Sequence, residues 1–352
     1  MQLIYHQGQR VITNNSPADL IIYDNMWKYD SNAFLIDRTK TVDFYYHTKL
    51  LPEYELPNFN TSAISFEECC VNRAKELVNI NDKIYLLWSG GIDSTCSVVS
   101  FLQADVPLDN ITIICNKDSV REYALFYNKF ILGKFNIMAT EEFMLKASAG
   151  VLPGTIVNSE HADQLFGSPF ANILLRGQQR DLLLEPYSYE NTVRVFEFMG
   201  LSDSDTHKCI YEIYHQTTKF SPRPISTMFD WCWWHNFNFK WQMIGVKFLP
   251  RIAKGNVLQT FFSSYDFQNW SVNHKPNLTS QETLKLVPKD IIFDYTKDQS
   301  YYDYKIKHQS TTLYFGHQSA SAIDTDMNRI NFKDFDSALF YNPDNSIAKW
   351  LK

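Results

Sequence analysis

Glycine is scarce in this chain. Twelve occur in 352 residues, so a glycine pair marks a place where the backbone needs a freedom other residues lack. Cysteine is also sparse and never forms a C-x-x-C pair. Cys69, Cys70, Cys96, Cys115, Cys209 and Cys232 have neither zinc-knuckle spacing nor the look of a disulfide framework. Free, buried thiols in a reducing compartment are the expectation. No apolar run approaches membrane-spanning length. The opening "MQLIYHQGQR" lacks the charged-then-apolar layout of a signal peptide. Basic charge is not in excess. The formal net charge is −6, which disfavours a coat for duplex nucleic acid but leaves room for a local basic groove. Internal repeats and low-complexity tracts are absent. The expected location is the cytoplasm, or the host cytoplasm for a viral chain, without a membrane partner.

The length suits one large domain or two ordinary ones. Residues 1–60 read as a small β-rich segment, with strand-like "LIIYD" and "TVDFYYH" between turns, then a linker, "LPEYELPNFN". Ser65 and Glu68 have capping-box spacing, and Phe66, Cys70, Ala74 and Leu77 would share one helix face. From Lys83 strands and helices alternate. "KIYLLW", "ITIIC", "FNIM" and "GTIVN" read as strands. Val120, Tyr123, Tyr127 and Phe130 mark one intervening helix, and "TEEFMLKAS" another. Such alternation predicts an α/β fold: a parallel sheet with helices on both faces. Beyond about residue 170 a helical part follows. The stripe Trp234, Phe237, Trp241 and Ile244 has helical spacing and reads as core rather than a base-stacking platform. His235 beside it reads as structural. Residues 266–300 read as polar and irregular. The expected division is 1–60, then 61–265 as the main domain, then 266–352 as an extension packing on it.

The glycine pair lies in "YLLWSGGIDSTCSVVSFL", residues 85–102. A buried strand runs into Ser89-Gly90-Gly91-Ile92-Asp93-Ser94-Thr95 and then into an amphipathic helix. In a parallel sheet, ligands bind beyond the carboxyl ends of strands. Gly90 and Gly91 let the backbone approach a bulky anion, the helix N-terminus favours negative charge, and Ser89, Ser94 and Thr95 add hydroxyls. These features describe a phosphate cradle without the lysine of a Walker-type loop. Asp93 would repel phosphates unless a divalent cation lies between, so the pattern implies Mg²⁺.

"SGGIDST" resembles the S-G-G-x-D-S signature of the PP-loop ATP pyrophosphatases, an adenine-nucleotide α-hydrolase-like fold. Those enzymes cleave ATP between the α and β phosphates, adenylate a substrate oxygen and release pyrophosphate. A second segment, "TIVNSEHADQLFG", resembles "SGEGSDELFGG" of asparagine synthetase and β-lactam synthetase through Glu160, Ala162, Asp163, Leu165, Phe166 and Gly167. The resemblance implies Asp163 as the second magnesium ligand, Glu160 facing the activated substrate, and Cys115 near adenine or in the core. It covers roughly residues 65–255, and "MIGVKFLPRIAKGNVLQTF" matches loosely. A late lysine assists adenylation in that branch. Lys297, Lys305 and Lys307 are the candidates, Lys305 preferred, although alternating Tyr304, Lys305, Ile306 and Lys307 equally describe a solvated basic strand. Arg121 could contact ATP or face solvent.

Departures accompany the match. Ser159 and His161 stand where the family has glycines, Gln164 where it has an acid, and Ser168-Pro169 replace Gly-Tyr. Either backbone access to pyrophosphate is altered or His161 supplies a new contact. The short N-terminal segment, with Gln2 at its second position, gives the expectation of no glutamine amidotransferase activity. The nitrogen would come from ammonia, a substrate amine or a separate donor. The leading expectation is an ATP- and Mg²⁺-dependent ligase acting on a carboxylate. A PP-loop enzyme acting on a nucleobase of RNA, DNA or a nucleotide is an alternative, with nucleic acid not favoured. A non-catalytic nucleotide-binding descendant is another.

Overall fold

The computed structural model describes residues 35–42, 50–167, 170–198, 204–246, 257–276, 278 and 284–307. The chain divides into two compact units. Residues in 62–162, 247–270 and 280–352 form one, and residues in 1–61, 163–246 and 271–279 form the other.

The first unit is built on a five-stranded sheet. Its strands are β1 Ile84–Leu87, β2 Ile111–Cys115, β3 Asn136–Ala139, β4 Thr155–Asn158 and β5 Val257–Thr260. All neighbours are parallel and the order is β3-β2-β1-β4-β5. Ile84 lies level with Ile111, and Tyr85 with Ile156. Apolar residues on both sides of β1, β2 and β4 demand cover on both faces. On one face Tyr85, Ile114 and Ile156 pack against Phe143 and Ala147 of the helix Thr140–Ser148. On the other, Ile84, Leu86, Ile113 and Val157 are equally buried. The first four strands fall where the periodicity puts them. The fifth, Val257–Thr260, was not foreseen.

The helix Phe66–Ile80 begins at the expected capping box. The Ser65 hydroxyl accepts from the Glu68 amide, and the Glu68 carboxylate accepts from the Ser65 amide. Phe66, Cys70, Ala74 and Leu77 are its buried face. It packs on the helix Ile92–Gln103, and so does the helix Leu286–Thr296.

Three local expectations need correction. The helix expected over 120–130 is broken. Lys117–Glu122 ends at Tyr123, whose backbone turns out of helical geometry, and the chain resumes as Ala124–Phe126 and a π turn at Tyr127–Ile131. Tyr123 there stacks flat on Tyr301. The irregular stretch expected over 266–300 instead carries the helices Tyr265–Asn273 and Leu286–Thr296. Pro288 disguises the latter, yet it sits in the first turn, where its missing N–H breaks no helical bond. The basic strand expected around Lys305 is the helix Gln299–Lys307.

The second unit is helical among its described residues. Thr227 and Asp230 form a capping box for the helix Met228–Trp234, which continues through a π turn, His235–Phe239, into Trp241–Val246. Trp234, Phe237 and Trp241 are buried, as their spacing predicts for core. Burial lowers His235 to about 3, which keeps its ring neutral, in keeping with the structural reading. Arg223 lies 3.7 Å over the Trp233 ring and pairs with Asp230. Most of the expected β-rich segment lies outside the described residues. Among those described, 35–42 and 50–60 hold a short 3-10 turn, Pro52–Tyr54, and no strand.

Cys69, Cys70, Cys96, Cys115 and Cys232 are free and buried. No described helix is long and apolar enough to cross a membrane.

Ile156 lies on β4, an interior strand of the sheet, packed from one face by Phe143 and Ala147. Ile156→Ala should cost about 3 kcal/mol, the usual range for emptying a packed aliphatic site. A lower midpoint in urea unfolding with an unchanged slope is the expected reading.

Candidate functional site

The strand order reverses between β1 and β4. From β1 the chain moves outward to β2 and β3, and from β4 it moves the other way to β5. The carboxyl ends of β1 and β4 therefore flank the crevice where open α/β sheets bind ligands. The segment 88–91 leaves β1 there, and 159–161 leaves β4. The helix Ile92–Gln103, which follows the first segment, is tied to the second, since Ser97 Oγ lies 2.9 Å from Ser159 Oγ.

The turn after β1 depends on Gly90. Its φ is +77°, and an added Cβ would lie 2.5 Å from the Ser119 carbonyl oxygen and 2.7 Å from Glu122 Cβ. Only glycine fits that backbone and that approach. Gly91 differs. Its φ of −75° is ordinary, and a Cβ there would meet only the Ser89 hydroxyl, at 3.2 Å. Gly91 is also the N-cap of the helix Ile92–Gln103, and no side chain caps that end. The neighbouring hydroxyls serve one another. Ser89 Oγ and Ser94 Oγ are 3.0 Å apart, the Gly91 amide donates to Ser89 Oγ, and the Ser94 hydroxyl donates to the Gly91 carbonyl. An anion could take over these donors, and helix N-termini favour one. Thr95 is turned inward, fully buried, its hydroxyl accepting from the Trp88 indole at 3.1 Å.

The loop after β4 also has a left-handed residue. His161 has φ +74°, at a position where the resemblance puts glycine. Its buried ring places Nδ1 2.8 Å from Thr260 Oγ1 at the end of β5. The departure from glycine thus keeps the backbone shape and adds a tie to the neighbouring strand. Glu160, half-buried, donates its amide to the Asn158 side chain. Cys115 ends β2, buried, with its thiol pushed up to about 12 by burial. Asp163 falls in the other compact unit. Arg121 pairs with Asp118 on a partly exposed helix. Lys297 pairs with Asp294 at the surface.

Positive charge reaches the β1 loop from Lys305, the preferred late lysine, and from Lys285 and Lys289, which sequence reasoning left aside. Lys285 Nζ is 2.7 Å from Asp93 Oδ2. Lys305, buried, pairs with Glu122, the residue pressed against Gly90. Lys289, also buried, is pushed down to about 7 by burial first, then by Lys285 and Lys305, against the opposing pull of Asp290 and Asp93. Tyr301 donates its hydroxyl to the Gly90 carbonyl at 2.9 Å and stacks on Tyr123 with ring centroids 3.6 Å apart. The i, i+4 spacing of Lys285 and Lys289 was the available signal, obscured by Pro288 between them.

Among the described residues no group of three His, Cys, Asp or Glu side chains could hold a metal ion. Mg²⁺ beside phosphates needs only one or two carboxylates, and Asp93, in the first turn of the helix Ile92–Gln103 and paired with Lys285, is a carboxylate of that kind. No family model matches the chain, and no curated protein matches it significantly. The resemblance therefore rests on the two segments themselves.

The Lys289 environment has a pH consequence. Below about 7 both folded and unfolded chains carry the proton, and the penalty is constant. Between about 7 and the ordinary 10.5 only the unfolded chain binds it, so this group makes stability rise with pH. Lys289→Met should be more stable than the parent at pH 7, and the difference should shrink toward pH 10. Paired unfolding curves across that range check the sign.

Proposed function

We propose that the chain is an ATP-dependent ligase, forming AMP and pyrophosphate, which adenylates a carboxylate and passes the acyl group to a nitrogen nucleophile. The observation that carries this reading is the glycine–glycine–acid–hydroxyl loop at the carboxyl end of β1, beside the reversal of strand order. A second segment of matching character leaves β4 on the other side of that reversal.

In this reading Gly90 and Gly91 bring the backbone close to the departing pyrophosphate. The Ser89 and Ser94 hydroxyls and the first amides of the helix Ile92–Gln103 bind its oxygens, exchanging their mutual hydrogen bonds for the anion. Asp93 would hold Mg²⁺, whose charge would stabilise the leaving group; the second ligand implied by the resemblance, Asp163, belongs to the other compact unit. Thr95 works from behind, fixing the loop through Trp88. Lys305 leaves Glu122 to face the α-phosphate, where a positive charge lowers the barrier. Glu160 orients or deprotonates the nucleophile, and Cys115 lines the wall behind the base. The acceptor is a carboxylate. The nitrogen comes from ammonia, an amine or a partner that delivers it.

Incubation with Mg²⁺, α-labelled ATP and a pool of metabolites and nucleic acids tests this. The expected products are labelled AMP and unlabelled pyrophosphate from the parent chain and neither from Asp93→Asn. ADP in place of AMP would overturn the mechanism. A labelled product that forms only with the nucleic-acid fraction would move the acceptor to a nucleobase.

A further inference from the structure

We propose that Lys285 is a resident stand-in for the divalent cation at Asp93, so that the cation enters this site only together with a polyphosphate. This rests on the nucleotide-cradle reading above and adds a rule for its filling.

The geometry is that of an occupied carboxylate. Lys285 Nζ is 2.7 Å from Asp93 Oδ2, and the two side chains are 11% and 27% exposed. Lys285 reaches it from a left-handed backbone, φ +65°, at the entry to the helix Leu286–Thr296. Lysine seldom adopts that conformation, and strain of this kind persists where surrounding structure imposes it. The helix it begins packs on the helix that carries Asp93. A second pair, Lys305 with Glu122, and the Tyr301 hydroxyl on the Gly90 carbonyl hold the following helix to the same loop.

A divalent cation that arrives alone and takes Asp93 Oδ2 must break this close, largely buried ion pair. Losing one partner of such a pair is strongly unfavourable. A polyphosphate removes the obstacle, because its oxygens accept the ammonium while the cation takes Asp93. Two ion pairs exchange partners.

The test is binding, read without turnover. Free Mn²⁺ is measured by electron paramagnetic resonance against the parent chain, Lys285→Gln, Lys285→Arg and Asp93→Asn, after thermal melts establish folding. Without nucleotide, Lys285→Gln should bind Mn²⁺ roughly tenfold or more tightly than the parent, since a like charge a few ångströms away is gone. Lys285→Arg should stay as weak as the parent, and Asp93→Asn should not bind. Calorimetry with α,β-methylene ATP should then show Mn²⁺ and nucleotide binding the parent together. Lys285→Met is the second neutral variant should glutamine prevent folding. Equal Mn²⁺ affinity in parent and neutral variant, with Asp93-dependent nucleotide binding intact, would overturn the exchange and leave the cradle standing. An absence of coupling between Mn²⁺ and nucleotide in the parent would also overturn it. Failure of every chain to bind Mn²⁺ with nucleotide would remove the cradle reading and this inference together.

Discussion

No side chain can stand at residue 90. The left-handed turn and the 2.5 Å approach to the Ser119 carbonyl exclude even a methyl group. Three separate elements meet on that bare backbone. β1 feeds it, the helix Lys117–Glu122 presses against it from the β2 crossover, and the helix Gln299–Lys307 hydrogen-bonds its carbonyl through Tyr301. The contacts of the loop with Ser119, Glu122 and Tyr301 all depend on that bare backbone.

Around it the molecule concentrates charge that an ordinary core would not retain. Buried ion pairs are weak as sources of stability, because desolvation offsets most of their attraction. Asp93 with Lys285, Glu122 with Lys305, and the depressed Lys289 lie within one unit, beside one loop. Perturbed, partly buried charge in a crevice is what functional sites show. The arrangement suits a site whose charges change partners on binding an anion and a cation, and suits poorly a turn that only joins a strand to a helix.

The sequence made the α/β sheet legible because its strands are short, apolar and regularly interrupted, and because Gly90-Gly91 stand out in a glycine-poor chain. The capping box at Ser65 was likewise written in four residues. What stayed hidden depends on long-range contacts. β5 is four residues long with an exposed first residue, and only its pairing with β4 makes it a strand. The break at Tyr123 is set by a tyrosine 178 positions later, at Tyr301. The helix that delivers Lys285 and Lys289 is masked by Pro288, and for Lys305, the preferred late lysine, a solvated strand stood as an equal reading because the Glu122 partner lies 183 positions away. His161 was visible as a departure, but its left-handed backbone and its tie to Thr260 were not.

The central claim is that the 89–95 loop holds phosphate rather than merely turning the chain. Gly91 separates these directly, because its φ of −75° is open to other residues and an added Cβ would press only on the Ser89 hydroxyl, at 3.2 Å. Gly91→Ala should cost the fold about 1 kcal/mol or less, the scale of a changed helix N-cap. Titration of Mg²⁺ and α,β-methylene ATP into parent and Gly91→Ala chains is the decisive measurement. Tight binding by the parent and a loss of tenfold or more in a variant that melts almost normally is the predicted result. Equal binding by both chains, or none by the parent, would contradict the account.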